Sequence, residues 1–382
     1  MLKHRLLTEE QKASYQRFRD YVKINVEPFA TQWDKQQGVP REAIEKCGKE
    51  GFVGGIFPKQ YGGGGWDTVT FGLLNEAMGA SSVSLCALFT VQTMVGMTLA
   101  KWGTEEQKEK WLTPMSNSSI IAAFAMTEPK VGSDIQAIET TFTPKGEIYL
   151  LNGTKRWITM SGIADIFLVF GKHEDKSMAC IIKSNTPGVK ITPLKDMLGF
   201  KGAHLSQLEF DNCEIPASDL VGKPGLVINY VAPYGLHFGR VSTSWNSIGL
   251  LRACVETSST FASDRRAFGC SVIEHGAVRQ LITDMGVDLE AARLMCINAA
   301  IAEDTHSPDA MEKTLMAKYF ASKAVVKAAS DTVQVMGAAG CYEDNLAAGY
   351  YRNAKIMEII EGTTQVLQKV LAKSISQKNR KR

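Results

Sequence analysis

The run Ile359-Ile360-Glu361-Gly362-Thr363-Thr364-Gln365 sets one carboxylate between apolar residues and a glycine. Apolar neighbours disfavour the charged form of a glutamate, which moves its pKa toward the range that a general base needs near neutral pH. The same pattern also suits a helix-end glutamate that caps or is solvated, and the run alone leaves both readings open.

Two other stretches combine small residues, hydroxyls and one aromatic. In Ala125-Met126-Thr127-Glu128-Pro129-Lys130-Val131-Gly132-Ser133-Asp134, Pro129 and Gly132 break the backbone. Free amides and hydroxyls beside such a turn suit a cofactor's polar edge or pyrophosphate, or an ordinary capped loop. In Lys155-Arg156-Trp157-Ile158-Thr159, strand alternation puts Trp157 and Thr159 on one face, where an aromatic plane and a hydroxyl would suit a flat heterocycle. A tryptophan in a strand is equally at home in a core.

The elements that must position these stretches are legible in the periodicity. From Glu9 to about Asn117 apolar residues recur at three- and four-residue spacing, and Thr104-Glu105-Glu106-Gln107 is a capping box. A middle segment then carries strand signals: Ile148 to Leu151 before an Asn152-Gly153 hairpin turn, Ala164 to Phe170, Met178 to Lys183, and the alternation around Leu208 and Phe210. After Gly222-Lys223-Pro224-Gly225 the helical period returns, with Leu315, Tyr319, Ser322, Val326, Ala329 and Val333 marking one face of a helix. The expected class is α+β, with a helical unit at 1–118, a β unit at 119–228 and a helical bundle at 229–382. Their mutual cleft is the natural ligand site.

Composition narrows the function classes. With 382 residues, a net charge of +3 and 43 basic against 40 acidic residues, no strong field for nucleic acid is implied. No apolar run reads as long enough to span a bilayer, and Met1 to Lys12 has no apolar signal core, so a cytoplasmic protein without a membrane partner is expected. Eight scattered cysteines, without a Cys-x-x-Cys pair or a His cluster, read mostly as reduced core thiols and imply no metal site. The basic tail Lys378 to Arg382 reads as a solvated chain end.

Taken in order, these stretches resemble the acyl-CoA dehydrogenase family over nearly the whole chain. Pro58 with Tyr61-Gly62-Gly63, Gly103 to Lys108, Arg265-Arg266-Ala267-Phe268-Gly269 and Val333 to Gly337 belong to the same resemblance. It implies N-terminal helices, a middle β-barrel and a C-terminal four-helix bundle, assembled as a homodimer or homotetramer with FAD between barrel and bundle. By position, Met126, Thr127, Gly132, Ser133, Trp157 and Thr159 resemble flavin-ring and pyrophosphate contacts. Thr363 and Gln365 resemble contacts near the flavin and adenosine portions. Arg265, Phe268, Gln334 and Gly337 resemble residues that reach FAD across a subunit interface. Glu361 resembles the catalytic base that takes the α proton of an acyl thioester, and Arg240 an arginine that supports it.

Two positions depart from the family pattern: Gly276 follows His275 where the family has a glutamine, and Ala338 adds a methyl to a glycine-rich run. Within the family, Asp196 to Gly199, Ala317 to Ser322 and Gly239-Arg240-Val241-Ser242 with Trp245 look most like the acyl-carrier-protein dehydrogenases of polyketide and peptide antibiotic pathways, of the methoxymalonyl or hydroxymalonyl type. The implied substrate is a small acyl thioester on an acyl or peptidyl carrier protein or on coenzyme A, with an electron-transfer flavoprotein or oxygen as acceptor. An oxidase acting on an aminoacyl thioester such as prolyl, or a short-chain acyl-CoA dehydrogenase, is the alternative. Trp245 and Asn246 would shorten an acyl tunnel, unless Trp245 merely fills the core.

Overall fold

The computed structural model describes residues 6–380. Six helices come first: α1 (Glu9–Asn25), α2 (Ala30–Lys35), α3 (Arg41–Lys49), α4 (Thr68–Gly79), α5 (Val83–Trp102) and α6 (Glu105–Ser116). Four of their starts are written in the sequence as capping residues. Thr8 and Thr104 each form a capping box with the glutamine three residues on, and the Asp67 and Ser82 side chains accept from the backbone N–H of Thr70 and Leu85.

Seven strands follow: β1 (Ala122–Ala125), β2 (Thr141–Lys145), β3 (Ile148–Ile158), β4 (Ile166–His173), β5 (Lys176–Lys183), β6 (Val189–Pro193) and β7 (Ser206–Pro216). They form one curled sheet in which β6, β7, β3 and β2 pair antiparallel in that order. On one edge of β4 lie β1 and β2, both parallel to it, while β5 pairs antiparallel with the other. Helices then resume with α7 (Ala232–Asp264), broken from α8 (Gly276–Asp304) by the short hairpin of β8 (Arg266–Ala267) and β9 (Cys270–Ser271). The chain ends in α9 (Ala310–Met336), α10 (Leu346–Ile359) and α11 (Thr364–Arg380). Helices α7 to α10 form the bundle, α4 and α5 pack on α7, and α11 packs on α9.

Several local expectations fail for physical reasons. Asn152-Gly153 is not a hairpin turn. Strand β3 runs through it, and the β2–β3 turn lies at Gly146, whose φ is +64°. Gly153 instead marks a register shift against β7, where a Cβ would come within 2.5 Å of Thr140 Oγ1, so the glycine answers a close approach. Simple alternation also fails at the end of β3. Trp157 has a φ of +64° within a second register shift, and Thr159 lies in the turn beyond the strand. On α9 Leu315, Ser322 and Ala329 of the expected face are buried, together with Thr314, Lys318, Ala321, Val325, Ala328 and Thr332, while Tyr319, Val326 and Val333 are half-buried. The helix is covered from several sides, so a one-stripe pattern captures only part of what it buries.

The 20-residue α5 corrects the reading of the apolar runs, because it is long and apolar enough to cross a bilayer. Its most apolar window is 89% buried inside the protein. In the tail, Lys378 pairs with Glu312 at the end of α11, and Lys381 and Arg382 lie outside the described residues.

The two helical blocks are joined by a buried carboxylate. Glu76 on α4 accepts from Arg293 on α8 at 2.6 Å and from the Tyr15 hydroxyl on α1 at 2.8 Å, with Arg252 of α7 at 3.5 Å. Burial by itself would raise the Glu76 pKa, but the two guanidiniums and the phenol hold it below the ordinary carboxylate value. Removing the carboxylate leaves two largely buried guanidiniums with only their exposed partners, Glu256 and Glu290. Glu76→Ala should therefore lower stability by about 3 kcal/mol or more, read from the shift of the urea midpoint at unchanged slope.

Candidate active site

The Glu361 run folds as a four-residue link, Ile360 to Thr363, between helices. Helix α10 stops at Ile359, Glu361 has a φ of +55° and Gly362 of +99°, and α11 starts at Thr364. A non-glycine residue at positive φ is strained and persists only where its surroundings hold it. Here the holders are two cations. Arg240 of α7 donates from Nε to the Glu361 carbonyl at 3.1 Å, and Lys318 of α9 donates from Nζ to the Gly362 carbonyl at 2.7 Å. Lys318 is wholly buried, and burial pulls its pKa down to about 8.

The Glu361 carboxylate is turned into the protein. A Cβ built on Gly239 of α7 would meet its Oε2 at 2.4 Å and the Met94 Sδ of α5 at 2.9 Å, so only glycine leaves the carboxylate its place there. Oε2 is buried and accepts no hydrogen bond. Burial raises the Glu361 pKa to about 7, against the opposing pull of Arg240 and Lys318. Both cations lie near enough to moderate the charge, yet the donors described above go to main-chain carbonyls. The expected upward shift is present, but its cause differs from the expectation. Ile359 is exposed, and the dry surroundings come from α5 and α7.

A second assembly surrounds Met126 to Ser133. Glu128, buried, accepts from the N–H of Glu139 and Thr140 at 2.6 and 2.9 Å, from the Thr140 hydroxyl at 2.6 Å, and from Lys155 Nζ at 2.8 Å. Lys155 also donates to the Met126 carbonyl at 3.0 Å, and the Arg156 N–H donates to the Thr127 carbonyl at 2.9 Å. These bonds bring the end of β3 against the loop. Met126 is buried, Thr127 half-buried, and Gly132 and Ser133 exposed, with open space where a Gly132 side chain would stand. Trp157 leaves 45% of its surface exposed beside Thr127, with the Arg156 guanidinium 4.7 Å from its ring centre. A half-exposed aromatic plane, nearby hydroxyls and open space beyond a glycine fit a flat heterocycle with a phosphate tail.

The remaining predicted contacts divide in two. Thr363 is half-buried and accepts from the Val366 N–H at 3.4 Å, while Gln365 is exposed in the first turn of α11. Arg265, Phe268, Gln334 and Gly337 face outward on the bundle, Phe268 at 96% exposure. Arg265 and Met336 line one surface depression with Phe261. Gly337 adopts φ +60° with ψ −139°, a conformation open to glycine alone, and the Ala338 methyl is exposed and meets no obstacle. Trp245 is buried with its ring where a Gly72 side chain would stand, so it fills the α4–α7 interface. Among the described residues no group of three His, Cys, Asp or Glu side chains is placed to hold a metal ion. Sequence reasoning missed Lys318 and the Glu128–Lys155 pair, whose signal was a charge on an otherwise apolar face.

Three family models match in chain order: the acyl-CoA dehydrogenase N-terminal domain at residues 8–119, the middle domain at 123–213 and the C-terminal domain at 229–376. The chain belongs to the acyl-CoA dehydrogenase family. Members of this family are oxidoreductases acting on acyl thioesters. An acyl-CoA dehydrogenase of Bacillus subtilis is 34% identical over 377 residues, covering 96% of this chain and 98% of that one. The solved butyryl-CoA dehydrogenase of Megasphaera elsdenii superposes with a TM-score of 0.92 at 27% identity, covering 97% and 98%. A solved prolyl acyl carrier protein oxidase reaches a TM-score of 0.91 at 25% identity, covering 97% and 99%.

A carboxyl group whose pKa is raised by folding weakens the fold as it ionises. Its cost is absent below the ordinary value of 4.5, grows as pH rises, and is complete above about 7. Glu361→Gln should therefore match the wild type near pH 4.5 and exceed it in stability at pH 8 by about 1–3 kcal/mol, in urea titrations at both pH values.

Proposed function

We propose that this dehydrogenase oxidises a small acyl thioester across its α and β carbons, with Glu361 as the base that removes the α proton. The observation that carries this reading is the buried, unpartnered carboxylate seated on Gly239, poised near neutral pH. Met126, Thr127, Gly132, Ser133, Trp157, Thr159, Thr363 and Gln365 would hold FAD, which when bound would supply an acceptor for the two electrons that leave with the β hydrogen. The chain's own residues do the rest. Met94 and Gly239 exclude water from the carboxylate, and the main-chain N–H of Glu361 would donate to the thioester carbonyl as it gains negative charge. Arg240 and Lys318 fix the strained turn so that base and amide keep one geometry.

The outward group Arg265, Phe268, Gln334 and Gly337 supports assembly as a homodimer or homotetramer in which a second copy covers Phe268 and completes the cofactor site. We read the three units as 1–118, 119–228 and 229–382, and the setting as cytoplasmic. The acyl group is carried by an acyl or peptidyl carrier protein, a reading supported by the residues around Gly239-Arg240 and by the likeness to the prolyl acyl carrier protein oxidase. A short-chain acyl-CoA dehydrogenase is the second reading, favoured by the likeness to the butyryl-CoA enzyme. Electrons then pass to an electron-transfer flavoprotein or, in an oxidase, to oxygen.

The test is flavin absorbance under argon with thioesters added on coenzyme A and on a carrier protein. Wild type should bleach and Glu361→Gln should not; equal bleaching by both sinks the role given to Glu361. The base works ionised, so the rate should rise about tenfold per pH unit below about 7 and level above it. Lys318→Met removes a cation that favours the carboxylate, and should move that midpoint upward.

A further inference from the structure

Strand β3 reaches the proposed cofactor cleft with two cations side by side. Lys155 points inward, and its charge is answered by Glu128 at 2.8 Å. Arg156 follows it, half-buried, and its charge is unanswered. Among the described residues no carboxylate pairs with its guanidinium, and its buried Nε has no acceptor. What the guanidinium covers is the ring of the next residue, with Cζ 4.7 Å from the Trp157 ring centre. Neighbours in a regular strand point to opposite faces. The φ of +64° at Trp157, inside the register shift between Lys155 and Ile158, breaks that alternation and brings ring and guanidinium to the same side. A tryptophan in this left-handed region is strained and persists only where its surroundings hold it, and one holder is the Arg156 N–H bonded to the Thr127 carbonyl at 2.9 Å. Trp157 still keeps 45% of its surface exposed, so the cation lies on the ring and leaves open surface for a ligand.

The proposed chemistry gives this surplus charge a use. Loss of the α proton to Glu361 and of the β hydrogen as hydride leaves the acyl chain neutral and the proton on the carboxylate. The acceptor is left one negative charge richer, because a hydride carries two electrons with one proton. A flat ring stacked on the open side of Trp157 at van der Waals contact lies on the order of 8 Å from the guanidinium. Across that distance, with screening between that of bulk water and that of a protein surface, one positive charge is worth about fivefold in the binding of the charged form over the neutral one. Arg156 can supply this because no carboxylate of the protein neutralises it, whereas the charge of Lys155 is cancelled by Glu128. The pyrophosphate of the cofactor is the rival for the same charge. It is anionic whether the ring is oxidised or reduced, so a guanidinium bound to it would tighten both forms alike.

We infer that Arg156, seated on the Trp157 ring, is the charge that favours the reduced cofactor over the oxidised one and so helps to draw the hydride from the substrate. This rests on the reading of the Trp157 surface as the FAD site and is independent of the role of Glu361, so its test needs no thioester. The reduction potential of bound FAD is measured against a reference dye in wild type, Arg156→Gln and Arg156→Lys, alongside the affinity of each apoprotein for oxidised FAD, read from the quenching of flavin fluorescence. Arg156→Gln should lower the ratio of reduced to oxidised affinity about fivefold, a fall of roughly 20 mV for a two-electron couple. Arg156→Lys keeps the charge and should hold the potential near that of the wild type, and added salt should shrink the difference between wild type and Arg156→Gln. An unmoved potential in Arg156→Gln overturns the inference; if oxidised FAD also binds more weakly, the guanidinium serves the pyrophosphate or braces the ring. A potential that falls as far in Arg156→Lys as in Arg156→Gln overturns it too, because charge is then not the cause. A wild type that binds no FAD overturns it together with the cofactor reading. The expected shift in a protein whose flavin no thioester bleaches keeps Arg156 in this role and removes the proposed substrate.

Discussion

Two buried cations hold a strained peptide link, and the rest of the site depends on that arrangement. Arg240 and Lys318 arrive from different helices of the bundle and bind consecutive carbonyls, those of Glu361 and Gly362. A bond from either to the carboxylate itself would favour its ionised form and lower its basicity. By taking the carbonyls, they supply fixation and a moderate field while the carboxylate stays dry against Gly239. Lys318 is itself discharged more easily for being buried, with a pKa near 8, so the turn is held at the cost of two desolvated charges.

The Thr127 loop follows the same logic with opposite signs. There a carboxylate, Glu128, gathers two backbone amides, a hydroxyl and Lys155, and the lysine reaches back to the carbonyl of Met126. Burial would raise the Glu128 pKa, but Lys155 and the hydrogen bonds outweigh it and keep the carboxylate charged. In both places an irregular backbone segment is fixed by a buried charge, which leaves the exposed hydroxyls, glycines and Trp157 free for a ligand.

The architecture was legible because its signals are local: capping residues, three- and four-residue steps, and short apolar runs between turn residues. The desolvation of Glu361 was legible through its neighbours, although the isoleucines beside it proved less important than a glycine 122 positions earlier. The parts that could not be read depend on what approaches from far along the chain. Gly153 looked like a turn because Asn-Gly usually is one, and only the approach of Thr140 shows why a strand needs glycine there. Lys318 passed unremarked because its partner is a carbonyl, a group that every residue carries. The hydrogen-bonded chain of Thr90, Ser242 and Asn75 draws on three helices and has no pattern in any one of them.

Helix α5 ends at Trp102 and α7, which covers much of it, begins at Ala232. During synthesis about 130 further residues must be added before that cover exists, on the order of ten seconds at ribosomal speed. For that interval the nascent chain displays a segment with the length and apolarity that a membrane-insertion apparatus selects. The burial that makes the finished site dry thus gives the growing chain an early demand for chaperone shelter, set by the order in which its helices leave the ribosome.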